Sequence, residues 1–134
     1  MAYRIYTNKE KSFLEERHSQ VYTNKENYSQ NTYPVFPKTS LIELSNGCNH
    51  ACVFCTNSRM ERKIGRLDLQ TFENFLKQAI PLGLEEVGLY TTGEPFLMRN
   101  LNDYIKKSKE YGAKYVFITT NGGLTTPEKL ISAI

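Results

Sequence analysis

The chain carries three cysteines, Cys48, Cys52 and Cys55, and all of them fall in one stretch, Cys48-Asn49-His50-Ala51-Cys52-Val53-Phe54-Cys55. An odd number of thiols cannot pair off as disulfides, and ligand-type residues this close together point to a metal centre. Iron–sulfur clusters usually take four cysteines. Three thiolates on a four-iron cluster leave one iron without a protein ligand, free to bind and activate another molecule. The competing ligand set is zinc as Cys3His, with His50 joining Cys48, Cys52 and Cys55. Structural zinc usually ties together paired ligands from separated knuckles. All four candidates here share one short loop, so the spacing favours iron–sulfur, with His50 as an exposed loop residue.

Two further polar segments carry candidate chemistry: Thr91-Thr92-Gly93-Glu94-Pro95 and Thr120-Asn121-Gly122. Taken alone, Glu94 reads as a surface carboxylate or a helix cap, and Asn121-Gly122 as an ordinary turn signal. Arg59, Arg62, Lys63 and Arg66 make a basic stretch after the cysteines. It reads as a solvated loop, with contact to an anionic substrate or a reductase as the second reading.

The elements that must position these segments follow from residue periodicity. Leu41-Ile42-Glu43-Leu44 predicts a short strand that runs straight into the cysteine loop. Asp68 predicts a helix cap, and Leu69, Phe72, Phe75, Leu76, Ala79 and Ile80 form a stripe at helical spacing, ended by Pro81 and Gly83. Glu86-Val87-Gly88-Leu89-Tyr90 predicts the second strand. Asn100 predicts the cap of a second helix facing inward through Leu101, Tyr104, Ile105 and Ser108, with Gly112 as its stop. Tyr115-Val116-Phe117-Ile118-Thr119 predicts the third strand, and Thr126-Pro127 a third helix start, with Leu130, Ile131 and Ile134 on its apolar face. Strands alternating with helices imply a parallel α/β sheet with right-handed crossovers. In such sheets the chemistry gathers where strands end. The three polar segments all sit at strand ends, so one shared rim is expected.

Size and composition bound the rest. A chain of 134 residues with 40% apolar content can bury one core, and nine Tyr and seven Phe supply bulk for it. A net charge of +3 with both signs interspersed argues against a nucleic-acid partner. No apolar run approaches a membrane span, and the first thirty residues show no signal-peptide core. Reduced cysteines then place the protein in the cytoplasm. Residues 1–38 read as a loosely ordered polar extension, with a weak apolar stretch near Phe13-Leu14. Within it, Ile5-Tyr6-Thr7-Asn8-Lys9-Glu10 returns as Val21-Tyr22-Thr23-Asn24-Lys25-Glu26, too few copies for a solenoid. Pro34 and Pro37 force an extended entry into residues 39–134. Three strand–helix units leave an open sheet edge, so the chain reads as the front part of a longer design.

The order and placement of these motifs resemble the radical S-adenosylmethionine (radical SAM) enzymes over residues 39–134. Cys48-x-x-x-Cys52-x-x-Cys55 after a first strand looks like that family's cluster loop, with Phe54 matching its frequent aromatic. Thr92-Gly93-Glu94-Pro95 resembles its Gly-Gly-Glu type motif, with Thr92 replacing the first glycine. Thr120-Asn121-Gly122 is similar to its Thr-Asn-Gly turn. The resemblance implies the first half of a partial (βα)6 TIM-like barrel. It implies a [4Fe-4S] cluster on Cys48, Cys52 and Cys55, with S-adenosylmethionine chelated to the fourth iron. One-electron cleavage of the sulfonium carbon–sulfur bond would give methionine and a 5′-deoxyadenosyl radical that takes hydrogen from a substrate of unknown identity. An electron donor such as flavodoxin or ferredoxin is implied as a partner. By the same resemblance Phe54 would lie against the adenine, and Gly93 and Glu94 would meet the cofactor's amino group. Pro95 would fix the turn, and Thr120 and Asn121 would line the cavity. A zinc-stabilised binding module and an iron–sulfur electron-transfer protein remain the alternatives.

Overall fold

The computed structural model describes residues 36–132 together with Glu15. The chain divides into Met1–Pro34 and Val35–Ile134, and the fold below belongs to the second unit. The hexapeptide repeat, the stretch near Phe13-Leu14, Pro34 and Ile134 lie outside the described residues.

Three short strands, β1 (Thr39–Leu41), β2 (Glu86–Gly88) and β3 (Tyr115–Phe117), form one parallel sheet with β2 in the middle. Ser40 pairs with Val87, and Val87 with Val116. Between the strands run helices α1 (Leu69–Ala79) and α2 (Leu101–Glu110), and α3 (Pro127–Ser132) follows β3. This is the alternating parallel α/β arrangement that the residue pattern implies. Strands β2 and β3 begin where the residue pattern predicts and end two residues early, whereas β1 is displaced toward the N-terminus of the apolar run that predicts it. Ile42 still donates to the Gly88 carbonyl at 2.7 Å, but Leu44 and Ser45 turn away to pair with the returning segment. Leu67 N–H donates to the Leu44 carbonyl at 2.8 Å, and Ser45 faces Arg66 across an antiparallel bridge. The apolar character of Leu44 therefore reflects burial in the core, not continued pairing with β2.

Helix α1 starts where its cap predicts, with the Asp68 carboxylate accepting from Thr71 N–H at 2.9 Å. Of its apolar stripe, Phe72, Leu76 and Ala79 are buried and Leu69, Phe75 and Ile80 are half-buried. The chain leaves α1 and α2 through Gly83 (φ 113°) and Gly112 (φ 103°), left-handed conformations that cost a glycine little. Helix α2 departs from expectation at its start. Asn100 occupies the cap position, but its side chain makes no capping hydrogen bond; Asp103 N–H is instead met by the Asn100 carbonyl at 3.0 Å. Thr126 does cap α3, accepting from Lys129 N–H at 3.3 Å.

The core lies between the sheet and the first two helices, where Phe72, Leu76, Leu84, Val87, Leu89 and Tyr104 lose nearly all exposure. Full burial of side chains this size stabilises by roughly 1.5–3 kcal/mol each. The Phe72 and Tyr104 rings meet edge to face at 5.1 Å, and the Tyr104 hydroxyl donates to the Leu67 carbonyl at 2.5 Å. That bond fastens α2 to the end of the segment returning from the cysteines. On the other sheet face, Gly88 leaves room for its neighbours: a Cβ there would stand 2.5 Å from Leu41 Cδ2 and 2.8 Å from Phe117 Cζ.

Candidate functional site

The segments leaving β1, β2 and β3 meet at one rim, and polar contacts hold them there. The segment after β1 begins with buried Ser45 and Asn46. Ser45 Oγ donates to the Gly65 carbonyl at 3.1 Å. The Asn46 amide gives one bond to the Lys63 carbonyl at 3.0 Å and takes one from Gly65 N–H at 2.7 Å. Two short side chains thus close the base of the loop. Farther out, Asn57 Nδ2 donates both to the Asn46 carbonyl at 2.8 Å and to the Thr92 carbonyl at 3.0 Å. It joins the loop to the segment after β2.

Cys48, Cys52 and Cys55 lie on the outer part of this loop, half-buried and unpaired. Cys48 Sγ accepts from His50 N–H at 3.5 Å and from the Asn121 side-chain amide at 3.7 Å. Cys55 Sγ accepts from Asn57 N–H at 3.5 Å. Donors aimed at sulfur suit thiolates that carry negative charge into a bound group. Among the described residues, no three His, Cys, Asp or Glu side chains gather around a single point closely enough to hold one metal ion. A four-iron cluster takes each thiolate on a different iron, and three thiols on one short loop, with N–H donors turned toward two of them, are a donor set that fits that group. His50 is exposed, and a Cβ on Gly123 would stand 2.9 Å from His50 Nε2, so the imidazole lies against the segment after β3. Phe54 is 88% exposed, with its ring face open.

Gly93 and Glu94 form the inner joint of the rim. A Cβ on Gly93 would lie 1.8 Å from the Ser45 carbonyl oxygen, and Glu94 N–H donates to the Gly47 carbonyl at 2.8 Å. Only glycine lets the two backbones approach so closely. The Glu94 side chain is 2% exposed, far from the surface carboxylate that its sequence context alone suggests. One oxygen accepts from Phe96 N–H at 2.9 Å and from the Thr120 hydroxyl at 2.7 Å; the other accepts from Asn121 N–H at 2.8 Å. Glu94 thus caps the short 3-10 turn Pro95–Leu97 and holds the segment after β3 in place. Pro95 is buried at the start of that turn. Thr120, Asn121 and the cysteine loop are all brought together, while Phe54 stays exposed and is not packed into this joint.

A second polar joint was not legible in the sequence. Glu43, two residues beyond β1, pairs with Arg62 at 2.6 Å and accepts from the Thr91 and Thr92 hydroxyls at 2.5 Å each. Burial alone would raise the Glu43 pKa. The Arg62 guanidinium and the two threonine hydroxyls outweigh it, holding the carboxyl down to about 2. Arg62 is therefore engaged at the rim, although its side chain stays 54% exposed and the basic stretch around it is solvated as expected. The one available signal was a charged residue inside the apolar run Leu41-Ile42-Glu43-Leu44.

Comparison with known proteins agrees with this geometry. Residues 42–133 match the family model described as the radical SAM superfamily. The chain belongs to that superfamily. This radical SAM chain is 35% identical over 83 residues to a protein of Sulfurisphaera tokodaii named probable GTP 3',8-cyclase, covering 62% of this chain and 26% of that protein. It is 32% identical over 100 residues to the PqqA peptide cyclase of Gluconobacter oxydans, covering 74% of this chain and 27% of the relative. Its fold matches a crystal structure of BtrN in complex with AdoMet and 2-DOIA with a TM-score of 0.66 and 26% identity, over 72% of this chain and 40% of that one. The radical SAM chain thus spans about a quarter of the length of these two curated relatives.

Proposed function

We propose that residues 39–134, which follow a polar extension in residues 1–38, form the front of a radical SAM catalytic core, and that Cys48, Cys52 and Cys55 hold a [4Fe-4S] cluster with S-adenosylmethionine on its fourth iron. The observation carrying this reading is the disposition of the thiols: half-buried on one loop, with N–H groups turned toward Cys48 and Cys55, at the rim where all three βα segments meet. When bound, the cluster and cofactor supply reductive cleavage of the sulfonium bond and a 5′-deoxyadenosyl radical that removes hydrogen from a substrate.

The chain's own residues hold this chemistry in place. Gly93 sets the segment after β2 against the cysteine loop, which brings its backbone within reach of a cofactor ammonium. Among the described residues Glu94 Oε2 accepts from Asn121 N–H, and a carboxylate oxygen has a second acceptor position that would take that group. The exposed ring of Phe54 offers a face for adenine. Thr120 and Asn121, fixed by Glu94, line the cavity, and Pro95 holds the turn. An electron donor such as flavodoxin or ferredoxin would deliver the electron. No described helix is long and apolar enough to cross a membrane, and a cytoplasmic setting suits reduced thiols.

Anaerobic reconstitution with iron and sulfide tests the reading. The expected product is a brown protein whose reduced spectrum changes when S-adenosylmethionine is added, and replacing any one of Cys48, Cys52 and Cys55 by alanine should abolish cluster content. A colourless protein holding one zinc ion, or a cysteine variant that keeps its cluster, overturns it. A cluster indifferent to the cofactor would make this an electron-transfer protein instead.

A further inference from the structure

The amide of Asn121 is oriented by its neighbours and not by chance. Its Oδ1 accepts from Gly123 N–H at 2.8 Å, so the NH2 group must face the other way. There it donates to Asn49 Oδ1 at 3.0 Å and to Cys48 Sγ at 3.7 Å. The backbone of Asn121 is held in turn by the buried Glu94 carboxylate at 2.8 Å. A side chain from the segment after β3 therefore reaches across to a sulfur on the loop after β1, some seventy residues earlier in sequence. Among the described residues, Cys55 receives a local backbone donor, and Cys48 receives a local one plus this distant one.

We propose that Asn121 is a positioning residue for Cys48, raising the reduction potential of the cluster bound there by donating a hydrogen bond to its thiolate sulfur. The inference rests on the cluster assignment above. A donor at sulfur stabilises the more electron-rich reduced state over the oxidised one, which is how hydrogen bonds to ligand sulfurs tune such centres. No bond is made or broken; the amide alters only how readily the cluster accepts its one electron. Because Glu94 fixes Asn121, the segments after β2 and β3 both bear on the electronic character of the Cys48 sulfur.

The test is a potentiometric titration of the reconstituted full chain, followed by electron paramagnetic resonance, comparing wild type with Asn121→Ala and Asn121→Asp. Losing one net hydrogen bond of about 1 kcal/mol should lower the reduction equilibrium constant about fivefold, read as a fall of ~40 mV at ~59 mV per decade. Asn121→Asp keeps the shape, removes the donor and adds negative charge, so its potential should fall at least as far as that of Asn121→Ala. Unchanged potentials in both variants overturn the proposal. So does a folded variant that takes up no cluster, since the amide would then serve assembly. If wild type itself takes up no cluster, the cluster assignment fails and this inference with it; loaded wild type with unshifted variants overturns the inference alone.

Discussion

The two ends of the sheet's neighbourhood are built from opposite materials. Between sheet and helices the contacts are apolar and forgiving: Phe72, Leu76, Leu89 and Tyr104 fill space, and their geometry is set by side-chain shape. At the rim the contacts are polar and close. Gly93 against Ser45, the Glu94 carboxylate and the Glu43–Arg62–Thr92 group leave little slack. Packing decides whether the domain exists, while the rim decides how three loops are aligned, and the two should fail separately.

The largest expected effect comes from the core. Phe72→Ala should cost about 3–5 kcal/mol, seen as a lower urea midpoint by circular dichroism, while the protein still folded keeps its cluster content per mole. Equal loss of cluster at full folding would erase the distinction. At the rim, Gly93→Ala places a methyl on the Ser45 carbonyl and should cost roughly 1–3 kcal/mol. Its main effect should be loss of cluster uptake in iron and sulfide assays, out of proportion to the change in stability. An alanine variant with native cluster content would mean that the rim has slack after all.

The smallest effect concerns pH. The Glu43 carboxyl sits at about 2 in the folded chain against an ordinary value of 4.5, so its ionised form favours folding. That contribution is complete above about pH 4.5 and is lost as the pH falls toward 2. Glu43→Gln should therefore lower the melting temperature near neutral pH, with the gap to wild type narrowing between pH 4.5 and 2. A gap that stays constant through that window would show that the pairing with Arg62 contributes nothing.

The same division explains what could be read from the sequence. Helix caps at Asp68 and Thr126, the stop at Gly112 and the inward stripes of α1 and α2 are local patterns, and they appear where expected. The cysteine spacing and the placement of three motifs at strand ends were equally legible. The limits of β1 were not, because an apolar run reports burial and cannot say whether Leu44 pairs with β2 or with Leu67. Nor was the burial of Glu94 or the engagement of Arg62 legible. Both depend on partners 19 to 27 positions distant, brought near only when the loops close.

The amide of Asn57 carries a consequence for how a metal group would be received. By bonding the Asn46 carbonyl eleven residues earlier, it ties off the segment that bears all three cysteines. Drawing together the ends of a free segment of that length costs about 2 kcal/mol in chain entropy, beyond a constant term. In this fold that ordering accompanies folding itself. Iron and sulfide would therefore meet a loop whose ends are already joined, and the affinity they express need not be reduced by the work of closing it.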